Sequence, residues 1–335
     1  AHNNNDGEFG PDGDQDIIKC GSYAGQNSGG TDIDVNLGFE PQWLLLKPNA
    51  SAAWYIIDNM RGIATGGNSE KLLPNSSNAE SSTTGVSLTP TGFTVTAGSE
   101  LAYASGYDII YMAIRRGPLA APEDATKVFT VVKGQAANTS SVPGFTANHV
   151  VDFAISSQTS SSSNVTGTRL LGDTFLSTDA NDAETANSVT RTNGYQNGFF
   201  FTGGGADSTR LAWMWKRAPS YFDVVAYTGT GSVRTVSHNL GVTPEMIWVK
   251  RRDSSGSWRV LVNIGGSFTG LALHNTNAAS TAALPELYGD DTTFTAPTSS
   301  VFTVGASNNT NASGGTLIAY LFATVAGVSK VGSYT

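Results

Sequence analysis

Asn239-Leu240-Gly241-Val242-Thr243-Pro244-Glu245-Met246-Ile247-Trp248-Val249-Lys250 repeats, with changes, a stretch far upstream, Asn36-Leu37-Gly38-Phe39-Glu40-Pro41-Gln42-Trp43-Leu44-Leu45-Leu46-Lys47. Each opens on an Asn-Leu-Gly turn signal, passes through a proline and enters an apolar run of strand length. A motif that recurs along a chain changes the reading of the whole. Other landmarks recur in the same order. Trp54-Tyr55-Ile56-Ile57 matches Trp258-Arg259-Val260-Leu261, Gly92-Phe93-Thr94-Val95 matches Val301-Phe302-Thr303-Val304, and Leu73-Pro74-Asn75 is similar to Leu273-His274-Asn275.

Between these copies lies a degenerate third. Leu176 to Glu184 is similar to the Asn-rich segment, Gly198-Phe199-Phe200-Phe201-Thr202 to Gly-Phe-Thr-Val, and Leu211-Ala212-Trp213-Met214-Trp215 sits where Ile109 to Ala113 and Leu317 to Leu321 close their copies. The Asn-Leu-Gly signature is missing here, and Pro143-Gly144-Phe145-Thr146 replaces it. The chain therefore divides into an acidic Gly/Asn-rich segment 1–15, repeat 1 at 16–117, a linker at 118–126, repeat 2 at 127–219, repeat 3 at 221–326, and at 327–335 the first strand of a further repeat. That last reading rests on Val328 to Thr335 matching Ile18 to Ala24. Either the native polypeptide continues beyond Thr335, the reading favoured with Ala1 in place of Met, or this strand completes a sheet on a neighbouring subunit.

Within each copy, short runs of β-branched, aromatic and apolar residues alternate with Gly, Asn, Ser and Pro, and no run keeps a 3.6-residue period. Met246 to Lys250 and Trp258 to Val262 flank Asp253-Ser254-Ser255-Gly256-Ser257, which predicts a hairpin. The fold class is all-β, a tandem array of three small antiparallel domains of β-sandwich or jelly-roll type.

Composition narrows the function. Hydrophobic residues make up 39% of the 335 and aromatics 10%, enough for packed cores, while charged residues are only 14%. A net charge of −8, with no basic stripe beyond Lys250-Arg251-Arg252, speaks against nucleic acid as a partner. No apolar run approaches the roughly 18 residues of a membrane helix, so no membrane insertion is expected. The lone Cys20 excludes an intrachain disulfide and a Cys-based zinc site, and is read as a small buried hydrophobe.

With these landmarks in hand, the chain resembles a repeat domain of uncharacterised function found in tandem in tail-fibre-like virion proteins of bacteriophages, marine ones in particular. The residues that carry the resemblance are Phe222 to Gly229, His238 to Gly241 with Pro244 to Arg252, Thr316 to Ala323, and Gly327 to Thr335. Repeat 1 adds Gly38 to Pro41 and Asp58 to Gly62. The resemblance implies a structural or attachment role at the virion surface, on the tail or the capsid exterior. A tail fibre stands ahead of a capsid decoration or head fibre protein, a glycan-binding module, and, remotely, a polysaccharide-degrading tailspike. The implied partners are other virion proteins, further copies of the chain in a homo-oligomer with a trimer favoured, and a host surface glycan.

No chemistry-bearing constellation stands out. His2, His149, His238 and His274 lack metal-ligand spacing, and His238 is read as a turn residue. Asp58, Glu80, Glu100 and Asp108 could pair as glycosidase carboxylates, but Val262 and Ala279 stand opposite the first two in repeat 3. No catalytic residue, no cofactor and no enzyme activity are expected. Asp12, Asp14 and Asp16 alternate as calcium ligands do, without the downstream acid of a full loop, and form only a weak metal candidate. The six tryptophans, Trp43, Trp54, Trp213, Trp215, Trp248 and Trp258, all fall in strand-like runs. They are read as core or inter-domain packing, with sugar stacking as the functional alternative.

Overall fold

A computed structural model describes residues 15–66, 69–137, 143–159, 161–172, 174–186, 190–191, 196–201 and 206–333. They form an all-β chain of antiparallel sheets with two short helices among the described residues. It separates into two compact units, one of residues up to Ala120 together with Arg169–Gly172, the other of residues 121–168 and 173–335.

In the first unit the strands are β1 (Ile18–Ala24), β2 (Ile33–Asn36), β3 (Pro41–Pro48), β4 (Tyr55–Asp58), β5 (Ser69–Leu72), β6 (Ser81–Thr83), β7 (Val86–Thr89), β8 (Gly92–Val95) and β9 (Asp108–Arg115). A six-stranded sheet runs β1-β9-β3-β4-β5-β6, and a three-stranded sheet runs β2-β8-β7. Alternation decides what each face carries. Leu44, Leu46, Ile57, Ile109, Tyr111 and Ala113 of the large sheet are buried, as are Val35, Val86, Leu88, Phe93 and Val95 of the small one. Tyr23 meets Phe93 edge-on at 6.1 Å and donates its hydroxyl to the Leu101 carbonyl at 2.7 Å.

The second unit repeats this plan twice. Its first part holds β10 (Phe129–Gln135), β11 (Phe145–Thr146), β12 (Phe153–Gln158), β13 (Ser161–Thr168), β14 (Thr174–Ser177), β15 (Thr185–Ala186), β16 (Thr190–Arg191), β17 (Gly198–Phe201) and β18 (Asp207–Trp215). These pair as β10-β18-β12-β13-β14-β15 and β11-β17-β16. Its second part holds β19 (Phe222–Thr228), β20 (Arg234–Ser237), β21 (Met246–Arg251), β22 (Arg259–Ile264), β23 (Ser267–Ala272), α1 (Leu284–Tyr288), β24 (Val301–Val304), α2 (Asn308–Asn311) and β25 (Thr316–Phe322). Here the order is β19-β25-β21-β22-β23, with β20-β24 and α1 packed over its inner face.

All three large sheets thus run first strand, last strand, third, fourth, fifth. In each, an amide at or just past the end of the last strand bonds the carbonyl before the first: Arg115 to Ile17, Lys216 to Val128 and Ala323 to Tyr221, at 2.8–3.0 Å. The expected hairpin is present as β21-β22, with Trp248 opposite Val260. The two Asn-Leu-Gly turns correspond, since Leu37 and Leu240 are buried while Gly38 and Gly241 take φ of +78° and +77°. Tyr227 meets Phe302 at 6.1 Å, edge-on, and donates to the Thr310 carbonyl, as Tyr23 does in the first unit. In the middle copy, Gly134 at φ +88° stands at that tyrosine's place, where the β10-β18 register shifts.

The structure differs from the sequence reading at three points. Repeats 2 and 3 form one compact unit, because an aromatic layer joins their large sheets. Phe153 lies 4.6 Å from Tyr320 and 5.6 Å from Phe222, ring to ring, and all three are fully buried. Each such side chain contributes about 1.5–3 kcal/mol through burial. Arg252 adds a two-pronged contact to Glu184 at 2.9 and 3.2 Å. Segment 327–335 makes no first strand among its described residues: the chain turns over a Val325–Ser329 bridge and runs on without pairing to 333. Cys20 is half-buried on the outward face of β1, paired across from Met112, and not a core residue.

Candidate interaction surface

The first unit's large sheet has an outer face that is unusually apolar. Asp108-Ile109-Ile110-Tyr111-Met112-Ala113-Ile114 of β9 does not alternate apolar with polar, and such runs belong to strands covered on both faces. Register places the outward side chains in rows across the strands. One row reads Cys20, Met112, Leu45, Ile56, Leu72; a second reads Ile18, Ile114, Trp43, Asp58; a third reads Ser22, Ile110, Lys47.

At one end of this face Trp54 precedes β4 and stays 40% exposed. Asn75, just after β5, accepts the Trp54 main-chain N–H at 3.0 Å and so fixes the loop against the sheet. Trp43, Leu45, Trp54, Ile56, Pro74 and Asn75 line an open hollow of about 380 Å³. Next to it, Asp58 accepts the N–H groups of Met60 and Arg61, both at 3.0 Å. The Arg61 guanidinium joins Asp58 at 2.6 Å, Glu80 at 3.2 Å and the Ile56 carbonyl at 3.2 Å. The outer face is therefore apolar at its centre, with the charges at its margin already paired with each other.

Several of the residues weighed for chemistry are engaged elsewhere. Asp58 and Glu80 share Arg61, so neither stands as a free carboxylate of a glycosidase pair, and Glu100 pairs with Lys71. Asp108 lies at the exposed start of β9, its amide bonded to Asn49. His149 is buried between the Thr130 hydroxyl (3.1 Å) and the Val150 carbonyl (2.9 Å), and burial pushes its pKa down. His238 holds the Asn-Leu-Gly turn, accepting the Leu240 N–H at 3.2 Å and donating to the Thr298 carbonyl at 3.2 Å; burial lowers its pKa too. His274 is partly buried beside Arg259 and Lys250, with its pKa shifted down chiefly by desolvation.

Asp12 and Asp14, like His2, lie outside the described residues, whereas Asp16 is half-buried, and its carbonyl accepts from Arg115 at 3.5 Å. Among the described residues no group of three His, Cys, Asp or Glu could hold a metal ion. No helix among them is long and apolar enough to cross a membrane.

Of the tryptophans, Trp258 is fully buried and Trp54 is exposed, while Trp43, Trp213, Trp215 and Trp248 are half-buried. Sequence reading did not single out Ile110 or Arg61. The unbroken apolar run of β9 was the signal for the first, and Arg61 had none beyond its closeness to Asp58.

Fold and surface define an all-β repeat protein that presents a large apolar sheet face. The chain belongs to the family described as Domain of unknown function (DUF7483), whose profile matches residues 15–118 and 127–335. No curated protein and no solved structure matches it.

Proposed function

We propose that the chain is a structural component of a bacteriophage particle, a tail fibre or fibre-like appendage on the virion exterior that contributes to host attachment. It assembles as a homo-oligomer, with a trimer favoured, and contacts other virion proteins. The observation that carries this reading is the repetition of one sheet topology three times in a single chain, with the second and third copies locked by an aromatic layer. Repeated sandwiches of this kind make a stiff spacer and need no chemistry of their own. Asp58, Glu80, Glu100 and His238 hold ion pairs and a turn, which fits a non-enzymatic role.

The test is localisation. Gold-labelled antibody against the chain, applied to purified particles of the phage that encodes it, should decorate a tail or capsid appendage. Failure to find the chain by mass spectrometry in purified particles overturns the reading.

A further inference from the structure

The outer face of the first large sheet has a counterpart, position by position, on the third. Matching registers equate Ile18 with Phe222, Cys20 with Val224, Ile110 with Ile318, Met112 with Tyr320, Leu45 with Trp248 and Ile56 with Val260. Trp54 and Trp258 each precede the fourth strand of their sheet. In the third sheet this face is closed by another sheet of the same fold, that of repeat 2. Phe222, Ile318 and Trp258 are then 0% exposed, whereas Ile18, Ile110 and Trp54 are 47%, 54% and 40% exposed.

We propose that the outer face of the first unit is an assembly surface that seats a second copy of this chain. Three observations favour that occupant. The chain itself contains the precedent, since the equivalent face is covered by a sheet of this fold. The side chains are of the covered type: both faces of β9 are apolar, as in a strand buried on two sides. An exposed apolar patch of this extent on a folded protein marks an interaction site.

The charges also suit a like partner. Asp58 and Glu80 are held by Arg61, and Lys47 donates to the carbonyls of Pro48 and Ala50 at 2.6 and 2.7 Å, so these charged side chains are already engaged within the chain and carry opposite net signs at the margin of the face. A saccharide is a poorer fit. Of the six residues lining the hollow only Asn75 has a polar amide or hydroxyl, and its oxygen is taken by Trp54. Sugar hydroxyls brought there would lose water and find few partners. Pairing through this face does not depend on the chain being part of a virion.

The test uses the full chain, measured by sedimentation over a range of concentrations, as wild type, Ile110→Glu, Trp54→Glu and the second-unit surface control Val233→Glu. Wild type and control should sediment at a multiple of 34.9 kDa, and the two face variants as monomers with unchanged far-UV circular dichroism. Should a Glu variant fail to fold, Ile110→Thr, which keeps a β-branched residue in the strand, should raise the dissociation constant at least tenfold. Three outcomes overturn the proposal: a wild type that stays monomeric at every concentration, face variants that keep the wild-type mass, or a monomer whose tryptophan fluorescence responds to a panel of bacterial surface oligosaccharides. The proposal rests on the homo-oligomer of the reading above: a monomeric wild type removes both, whereas face variants that keep the wild-type mass overturn this surface alone, and none of these outcomes bears on where antibody binds the particle.

Discussion

Trp258 donates its indole N–H to the main-chain carbonyl of Ser177 at 2.7 Å, and no part of the residue reaches solvent. The bond ties the start of β22 in the third repeat's sheet to the end of β14 in the second. Replacing Trp258 with Phe keeps most of the ring but strands a buried carbonyl, and should destabilise the second unit by about 1–2 kcal/mol. Trp258→Ala should cost about 3–5 kcal/mol, since it also opens a cavity. Guanidinium unfolding followed by circular dichroism measures both. Equal losses for the two variants would mean that the hydrogen bond alone matters.

Arg217 and Asp223 form the most deeply buried ion pair described, at 2.8 Å with side chains 4% and 1% exposed. Asp223 also accepts the Asn239 N–H at 2.8 Å, and Asp152 accepts the Arg217 N–H at 2.7 Å, so the pair anchors the Asn-Leu-Gly turn to β19. Removing one partner leaves the other charge buried, and Asp223→Ala should cost about 3–5 kcal/mol. The double variant Arg217→Met/Asp223→Ala should lose less than the sum of the single losses. A double-mutant cycle gives the coupling, and strict additivity would show that the two charges do not interact.

Gly38 and Gly241 sit in the left-handed region, and a Cβ on either would meet nothing within 4 Å. Alanine there pays only for the backbone, about 1 kcal/mol at each site. Matching losses in Gly38→Ala and Gly241→Ala are the expected result of thermal unfolding. A much larger loss at one site would mean that its turn carries strain absent from the other.

Lys250 is fully buried, and desolvation pushes its pKa down to about 8, against the opposing pull of Asp182, Asp253 and Glu184 and with help from Arg251. Because the folded value lies below that of the unfolded chain, the unfolded chain holds more protons above about pH 8, and stability rises with pH from there. Below that value the cost of keeping the charge buried is fully present. The rise should be followed to about pH 10, where unfolded tyrosines start to ionise. Lys250→Met should flatten this slope in guanidinium unfolding at stepped pH, and should stabilise the chain at neutral pH. A slope unchanged by the substitution would assign it to other groups.

Much of this fold could be read from particular residues. Asn-Leu-Gly at 36–38 and 239–241 encodes a turn because glycine supplies the positive φ, and the Ser/Gly-rich segment 253–257 encodes a hairpin by the same local chemistry. What lies outside a strand's own sequence was not legible. Trp54 and Trp258 are the same residue in the same place of the same fold, yet one is exposed and the other sealed, because only the second has a sheet laid over it. The aromatic positions also migrate between copies: Trp43 corresponds to Met246, and Leu45 to Trp248. A list of tryptophans therefore does not map a surface until register is known. The union of repeats 2 and 3 stayed hidden for a related reason, since Phe153, Phe222 and Tyr320 each sit in an ordinary strand and meet only in three dimensions.

In each copy the first and last strands are neighbours, and a hydrogen bond closes the pair at the point where the chain enters and leaves. A gene for such a protein can lengthen or shorten by whole copies wherever no neighbouring sheet covers a copy's outer face, which excludes the second and third copies from being parted. Excising or inserting one leaves the flanking copies' own closures intact, and the new joint has to span only the short distance between two adjacent strand ends. The same geometry leaves each copy's closure to its own residues, as the middle one shows with Gly134 in the tyrosine's place, while the aromatic layer still couples the second copy to the third.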